Sequence, residues 1–100
     1  MTIRAIHFPD ATRFRSLKTP GSFHIDLTKV AEDGTLAMWF FCPCGCAHPS
    51  RIRIGKDVKP QEGPSWLWNG SLSEPTLAPS VHKLDCGWHG WLRSGYWEAV

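Results

Sequence analysis

The sequence predicts a single all-β or strand-dominated domain over residues 1–100, made of about seven short strands. Short segments alternate apolar and polar residues, whereas no long segment keeps the helical period of about 3.6 residues. Eight prolines and nine glycines divide the chain at close intervals. Three of the four cysteines fall within residues 42–46, and such clustering is typical of metal ligands in small domains. We therefore expect one small domain stabilised by zinc.

The strand assignments follow from apolar periodicity and from turn-forming residues between the segments. The uninterrupted apolar run at 36–41 predicts a central strand that leads directly into the cysteines. Residues 51–55 alternate again and are expected to pair with it, so that the cysteine-rich segment forms the tip of a hairpin. The predicted strands are residues 2–8, 22–28, 36–41, 51–55, 65–71, 80–84 and 88–92, with a last one after residue 95.

The turns and connections are predicted from Gly, Pro and polar residues. Residues 93–95, Arg-Ser-Gly, predict a hairpin turn whose glycine takes a positive φ, with Trp91 and Trp97 on its flanks. Residues 9–21 and 56–64 are rich in polar residues, Gly and Pro, and are predicted to be flexible connections.

Composition and charge restrict the classes of function. The net charge is only +2, and Lys and Arg are scattered among Asp and Glu, so we expect no nucleic-acid partner. No apolar run approaches the ~18 residues that span a membrane, and the first residues lack the apolar core of a signal peptide. The sequence therefore predicts a cytoplasmic protein without a membrane partner, in which clustered cysteines favour a metal site or catalysis over disulfides.

The cysteine cluster is the strongest chemical motif. Cys42, Cys44 and Cys46 would all point the same way from a straight strand, with their sulfur atoms too far apart to share one ion. Pro43 and Gly45 are residue types that bend a chain, because Pro fixes φ and Gly permits a positive φ. We therefore expect the thiolates to converge on zinc.

The fourth ligand is expected from residues 86–89. Cys86 and His89 have the spacing of a ligand pair, and a distant cysteine is what closes a zinc site between two strands. Cys86 is the predicted ligand, with His89 and His48 as alternatives. Four thiolates would make the site closed and structural. Buried free cysteines and a redox dithiol are the remaining interpretations of the cluster.

A second group of chemically competent residues lies between positions 80 and 89. Ser80 follows a proline at the start of a predicted strand, and a serine becomes a nucleophile when a histidine accepts its proton. His89 is the predicted base, and His82 is a rival because it shares the strand face of Ser80. The structural alternative is that Ser80 is a turn residue and His89 a buried hydrogen-bonding group or a zinc ligand.

Four motifs occur in the order F-x-C-P-C-G-C, S-W-x-W-N-G, P-T-L-x-P-S and W-H-G-W-L-R-x-G. Together they resemble a family of short bacterial and phage proteins, many of which carry the misleading label "ammonia monooxygenase", and the resemblance extends over roughly residues 36–98. Some members occur in bacterial ubiquitination-like (Bub) operons beside E1-like, E2-like and ubiquitin-like proteins. In that setting the family resembles a zinc-containing serine peptidase that trims or removes the ubiquitin-like protein.

The resemblance implies roles residue by residue. Cys42, Cys44 and Cys46 match the metal-binding motif, and Ser80 and His89 match the third and fourth motifs. Longer members carry C-H-S-F where this chain has W-H-G-W, so the metal set is expected to differ within the family.

Two functions from different classes follow from the residues and the resemblance. The first is a peptidase that acts on the tail of a ubiquitin-like protein or on its conjugates, with E1-like and E2-like proteins as further partners. Trp66, Trp68 and Asn69 are expected to line the groove for the extended tail. Asp85 or Glu98 is the candidate to orient the histidine. The second function is a non-catalytic, zinc-stabilised module that binds a protein or peptide. A metallohydrolase with an open zinc position is disfavoured by the four cysteines and by the lack of an H-E-x-x-H helix.

Overall fold

The computed structural model describes residues 2–56 and 64–100, and it confirms the strand-dominated class. In these residues, two sheets and one short helix are formed. The strands are β1 (Thr2–Arg4), β2 (Phe23–Ile25), β3 (Leu36–Phe41), β4 (Pro49–Lys56), β5 (Trp66–Trp68), β6 (Leu77–Ala78), β7 (Val81–His82), β8 (His89–Arg93) and β9 (Tyr96–Ala99), and the helix α1 is Ala11–Leu17. The two-residue strand β6 is an element that the sequence analysis does not predict.

The first sheet has the strand order β1-β9-β8-β7, and all of its neighbouring strands are antiparallel. Arg93 pairs with Tyr96, so Ser94 and Gly95 form a two-residue turn between β8 and β9. Both turn residues have positive φ angles, 48° and 87°, as a type I′ hairpin requires. The predicted C-terminal hairpin is therefore confirmed.

The second sheet has the strand order β2-β3-β4-β5-β6. β3 and β4 are antiparallel along the whole of β3, so the cysteine-rich loop at 42–48 is the tip of their hairpin, as predicted. β5 joins β4 in parallel, and β6 is antiparallel to β5. The chain passes from this sheet to the first one through Pro79 and Ser80, the residues between β6 and β7.

Side chains from both sheets form one hydrophobic core. On β3, Met38 and Phe40 are fully buried, whereas Trp39 between them is only half-buried on the outer face. Phe40 packs against Trp97 of β9 with ring centroids 5.0 Å apart, and the indole N–H of Trp97 donates to the Gly21 carbonyl at 2.8 Å. Each such buried side chain stabilises the fold by roughly 1.5–3 kcal/mol. The core thereby holds the two sheets in a fixed relation and positions the residues at their junction.

The helix corrects the expectation of a flexible connection at 9–21. The Asp10 carboxylate caps α1 by accepting a hydrogen bond from the Thr12 N–H at 2.9 Å. Phe14 is the buried residue of the helix, and its ring centroid lies 4.8 Å from that of Phe41. One buried aromatic gives too little periodicity to predict a helix of 7 residues, whose stability depends on tertiary packing.

The second predicted flexible connection, residues 56–64, contains residues 57–63, which lie outside the described residues. In the described part of the chain, no helix is long and apolar enough to cross a membrane. The helix found there, α1, has 7 residues.

Candidate active site and metal centre

Ser80 and His89 meet at the junction of the two sheets. Ser80 lies between β6 and β7, and His89 is the first residue of β8. Ser80 Oγ and His89 Nε2 are 2.9 Å apart, which is a hydrogen-bond distance. Ser80 is half-buried and His89 is exposed, so the pair is open to solvent. In this geometry a histidine can take the proton of a serine hydroxyl during nucleophilic attack.

Strand register explains why the pair forms. β7 and β8 are antiparallel, with His82 opposite His89. Extending the register by one position sets Ser80 opposite Trp91 and diagonal to His89, and diagonal neighbours on one face of a sheet are within reach of long side chains. The rings of the two histidines lie with centroids 5.0 Å apart. Among the described residues, the Ser80 hydroxyl is hydrogen-bonded to His89 and not to the rival base His82.

The backbone at Ser80 is held by a tryptophan of the other sheet. Trp66 on β5 donates its indole N–H to the Ser80 carbonyl at 3.1 Å. The Trp66 ring is half-buried and packs against the core, so it has little freedom to move. The bond therefore constrains the peptide unit that follows Ser80. Trp66 is predicted from the sequence to line a groove for the substrate, whereas its hydrogen bond in the structure is to the Ser80 backbone.

Trp68 and Asn69, the other two residues expected in the groove wall, are engaged elsewhere. Trp68 is 2% exposed and its indole N–H donates to the Ser71 carbonyl at 3.0 Å, so its ring belongs to the core. The Asn69 side-chain oxygen accepts hydrogen bonds from the backbone N–H groups of Ser71 and Thr76. Its amide group donates to the Glu74 carbonyl at 3.0 Å. This segment therefore builds the scaffold beside β6.

In residues 2–56 and 64–100, no carboxylate is hydrogen-bonded to His89. Asp85 interacts with neighbouring residues of its own loop, and Glu98 forms an ion pair with Arg93 at 3.7 Å. Neither of the two candidate carboxylates orients the imidazole in this structure. The side chain that packs against the His89 ring is His82.

The four cysteines form one group. All the Sγ atoms of Cys42, Cys44, Cys46 and Cys86 lie within 4.8 Å of one another, and those of Cys42 and Cys86 are 3.5 Å apart. A tetrahedral metal with metal–sulfur bonds of about 2.3 Å needs sulfur atoms about 3.8 Å apart. The spacing of the group fits this requirement, so the four thiolates could hold a metal ion.

Neither histidine considered as the fourth ligand belongs to the group. His89 Nε2 faces the hydroxyl of Ser80, and His48 is exposed at the end of the cysteine-rich loop. In the described residues the distant Cys86 therefore completes the group of four.

Local turns bring the alternate cysteines together. The Gly45 N–H donates to the Cys42 carbonyl at 3.1 Å, and Gly45 has a φ of 88°, so the chain reverses where the sequence predicts a bend. The N–H of Cys44 points to the Cys42 sulfur at 3.4 Å. The turn thus places two sulfur atoms and a backbone donor within one short segment.

Backbone N–H groups favour the thiolate form at two further positions. The N–H of His48 donates to Cys46 and lowers the pKa of this thiol below its ordinary value. The N–H of Trp88 lowers the pKa of Cys86 in the same way. Burial, in contrast, raises the pKa of the Cys42 thiol. A metal ion bound at this group would favour loss of the Cys42 proton, which burial opposes.

A buried lysine lies beside the cysteine group, although the sequence analysis does not single it out. Lys83 is 5% exposed, and its Nζ donates to the His48 carbonyl at 3.4 Å and lies 3.7 Å from the Asp85 carboxylate. After the N–H of His48, its charge is a further cause of the lowered pKa of Cys46. A buried ammonium group requires nearby negative charge, and four thiolates around a divalent ion carry a net charge of about −2. The positive charge of Lys83 therefore complements the negative charge that the cysteine group would carry with a metal ion bound.

The loop at 83–88 connects the two sites. The N–H of its first residue donates to the carbonyl of its last at 2.8 Å, and Cys86 lies between them. β7 ends at His82 and β8 begins at His89, on either side of this loop. A metal ion that holds the loop would therefore also stabilise the register that brings His89 to Ser80.

A family model described as "Bacterial ubiquitination-like system serine protease (BubE)" matches residues 9–100. The chain belongs to the BubE family. This match confirms the resemblance to the peptidase-like member of Bub operons, and it extends over the four cysteines, Ser80 and His89. No curated protein and no solved structure matches the chain.

The BubE description names a serine protease, and one serine of this chain stands out for such chemistry. Among the serines that the structure describes, Ser80 is the one whose hydroxyl is hydrogen-bonded to a histidine. The serine protease description of the family and the hydrogen bond to His89 therefore both favour Ser80 as the candidate nucleophile.

Proposed function

We propose that this chain is a zinc-stabilised serine peptidase of the cytoplasm that processes the ubiquitin-like protein of its system or releases it from conjugates. The observation that carries the proposal is the 2.9 Å distance between Ser80 Oγ and His89 Nε2 at an exposed junction of the two sheets. The BubE family description supports the serine protease class and the ubiquitination-like setting. E1-like and E2-like proteins of that setting are the further partners.

The reaction proceeds through an acyl-enzyme. His89 Nε2 accepts the Ser80 hydroxyl proton as Oγ attacks the scissile carbonyl carbon. The tetrahedral intermediate collapses, the C–N bond breaks, and His89 gives the proton to the leaving amine. Water then attacks the ester, His89 takes a proton from the water, and that proton returns to Ser80 Oγ as the ester bond breaks. The products are a free carboxylate and a free amine.

Two neighbours keep the pair in position for this chemistry. Trp66 fixes the carbonyl of Ser80 through its indole N–H at 3.1 Å. His82 packs against the His89 ring and restricts its rotation, with centroids 5.0 Å apart. Side chains held in this way lose less freedom when the transition state forms.

We assign the four-cysteine group to zinc. Zinc prefers soft thiolate ligands, so a zinc ion held by four of them would supply folding free energy and would leave no open position for a reacting water. The residues that would hold it are Cys42, Cys44, Cys46 and Cys86. Zinc held there would brace the loop between β7 and β8, and proton transfer would be left to the His89 imidazole.

Covalent labelling tests the proposal. A fluorophosphonate is expected to modify Ser80 of the folded, zinc-loaded protein, and peptide mass mapping identifies the modified residue. Ser80→Ala should not be labelled, and His89→Ala should be labelled about 10³-fold more slowly, because the base activates the hydroxyl. Ser16→Ala, which changes an exposed serine of α1, is the matched control and should be labelled like the wild type. An unlabelled wild type would instead support a non-catalytic binding module.

A further inference from the structure

An aromatic side chain lies next to the catalytic pair on the outer face of the first sheet. Along β8, His89, Trp91 and Arg93 point to this face, because the two residues between them are buried. Alternate residues of a strand are about 6.6 Å apart. When the pairing of β7 with β8 is continued by one position, Trp91 also lies opposite Ser80. Trp91 therefore borders both the nucleophile and its base.

The Trp91 ring is held in place on one side. The Arg93 guanidinium lies over the ring, 4.2 Å from its centroid. Arg93 in turn forms an ion pair with Glu98, the residue opposite Trp91 on β9, at 3.7 Å. Among the described residues, Arg93 is the cation over this indole and no other aromatic ring stacks on it. The half-buried ring thus keeps a free surface, and the charge beside it is balanced.

We propose that Trp91 forms the subsite for an apolar side chain of the substrate residue that adjoins the scissile bond. This inference rests on the proposed peptidase function and names the side-chain class which that site accepts. When the scissile carbonyl lies against Ser80 Oγ, an adjoining residue of an extended peptide passes over the neighbouring face of β8. Because Arg93 already covers one face of the ring and is itself paired with Glu98, the remaining surface of the indole gains free energy by covering an aliphatic or aromatic side chain.

Trp39 provides a matched control. It is also half-buried, on the outer face of the second sheet, with the guanidinium groups of Arg15 and Arg51 at 5.9 and 6.0 Å from its ring centroid. Its surroundings therefore resemble those of Trp91, but its strand carries neither Ser80 nor His89. Trp39→Ala therefore measures how the loss of any half-buried tryptophan affects the labelling of Ser80.

Two fluorophosphonates, one with an ethyl group and one with a phenylbutyl group, test the subsite by their rates of Ser80 modification, each corrected for the reagent's own hydrolysis. In the wild type, the phenylbutyl reagent is expected to react about tenfold faster than the ethyl reagent. Trp91→Ala should bring this ratio close to one. Trp39→Ala should keep the wild-type ratio. Trp91→Thr places a strand-forming residue at this half-buried position and gives the same test if the alanine variant folds poorly.

The outcomes separate this inference from the function on which it rests. A wild-type ratio near one, or a ratio in Trp91→Ala equal to that in Trp39→Ala, would overturn the subsite and leave the peptidase intact. Failure of the ethyl reagent to modify Ser80 in the wild type would overturn the peptidase and the subsite together.

Discussion

The four-cysteine group and the Ser80–His89 pair share a loop but are assembled in different ways. The cysteine group takes three of its four sulfur atoms from the single turn at 42–46. The Ser80–His89 pair depends instead on the register of β7 and β8 and on an indole from the other sheet. The shared loop at 83–88 carries Cys86 and leads into His89. A metal ion bound to the cysteine group would therefore stabilise the geometry of the Ser80–His89 pair, whereas neither Ser80 nor His89 belongs to the sulfur group.

The largest expected effect is a loss of catalytic activity without a loss of zinc or of stability. Ser80→Ala and His89→Ala should each lower kcat/KM for cleavage of a ubiquitin-like fusion protein by about 10³-fold or more, because nucleophile and base act as a unit. The double variant should be no less active than either single one. Zinc content and melting temperature should match the wild type. Loss of zinc from the Ser80→Ala protein would show that zinc binding depends on the Ser80 side chain.

Removal of a metal ligand is expected to affect both sites. Cys86→Ser should lose zinc, melt at a lower temperature and lose activity together, since structural zinc supplies much of the folding free energy of a small domain. Metal analysis by mass spectrometry and thermal melting check this. His48→Ala is the control, because its exposed side chain lies outside the sulfur group, and it should keep about one equivalent of zinc. Full activity in zinc-free protein would contradict the coupling.

The buried lysine should have a smaller effect, confined to the metal. Lys83→Met keeps the apolar stem but removes the ammonium group beside the cysteines, so the dissociation constant for zinc is expected to rise about tenfold. Competition with a chromophoric chelator measures this constant. Lys29→Met, at an exposed position, is the matched change and should leave it unaltered. An affinity within about twofold of the wild type in Lys83→Met would show that Lys83 is not a counter-ion.

The smallest expected effect concerns the backbone of Ser80. Trp66→Phe keeps a ring in the core but removes the N–H donor to the Ser80 carbonyl, and the loss of one hydrogen bond should lower kcat by about fivefold. KM and zinc content should be unchanged. Trp68→Phe makes the same chemical change two residues along β5, where the indole bonds to Ser71, and it should not lower kcat. An equal loss of kcat in both variants would show that the effect comes from changed packing of the ring and not from the hydrogen bond to Ser80.

Much of the fold could be predicted because the relevant interactions are local. The β3–β4 hairpin with its cysteine tip follows from an apolar run, turn residues and a second alternating segment. The hairpin turn at Ser94 and Gly95 follows from residue types that accept a positive φ. α1 and β6 could not be predicted, because a helix with one buried residue, Phe14, and a strand of 2 residues carry almost no periodicity.

The residue types of the candidate site could be predicted from the sequence. Their arrangement in space could be predicted only in part. Alternation correctly places Trp66 and Trp68 on one face of a strand, but it does not reveal that this face packs on the core. Lys83 could have been noticed because it lies two positions after Val81, on the same face of the predicted strand 80–84, and three residues before Cys86. Its burial, however, depends on the loop that folds over the cysteine group.

The sequence by itself determined the strand-rich class and the residue types of the two candidate sites, which are four cysteines and a serine with a histidine. These properties depend on side-chain chemistry and on spacings of a few residues, which restrict the backbone directly. The tertiary structure decided that Cys86 completes the sulfur group across 44 positions and that His89, 9 residues from Ser80, faces its hydroxyl. It also decided that Trp91, and not Trp68, lies beside that pair. Such contacts require a specific strand register and sheet order, and these are selected by the burial of the whole apolar core.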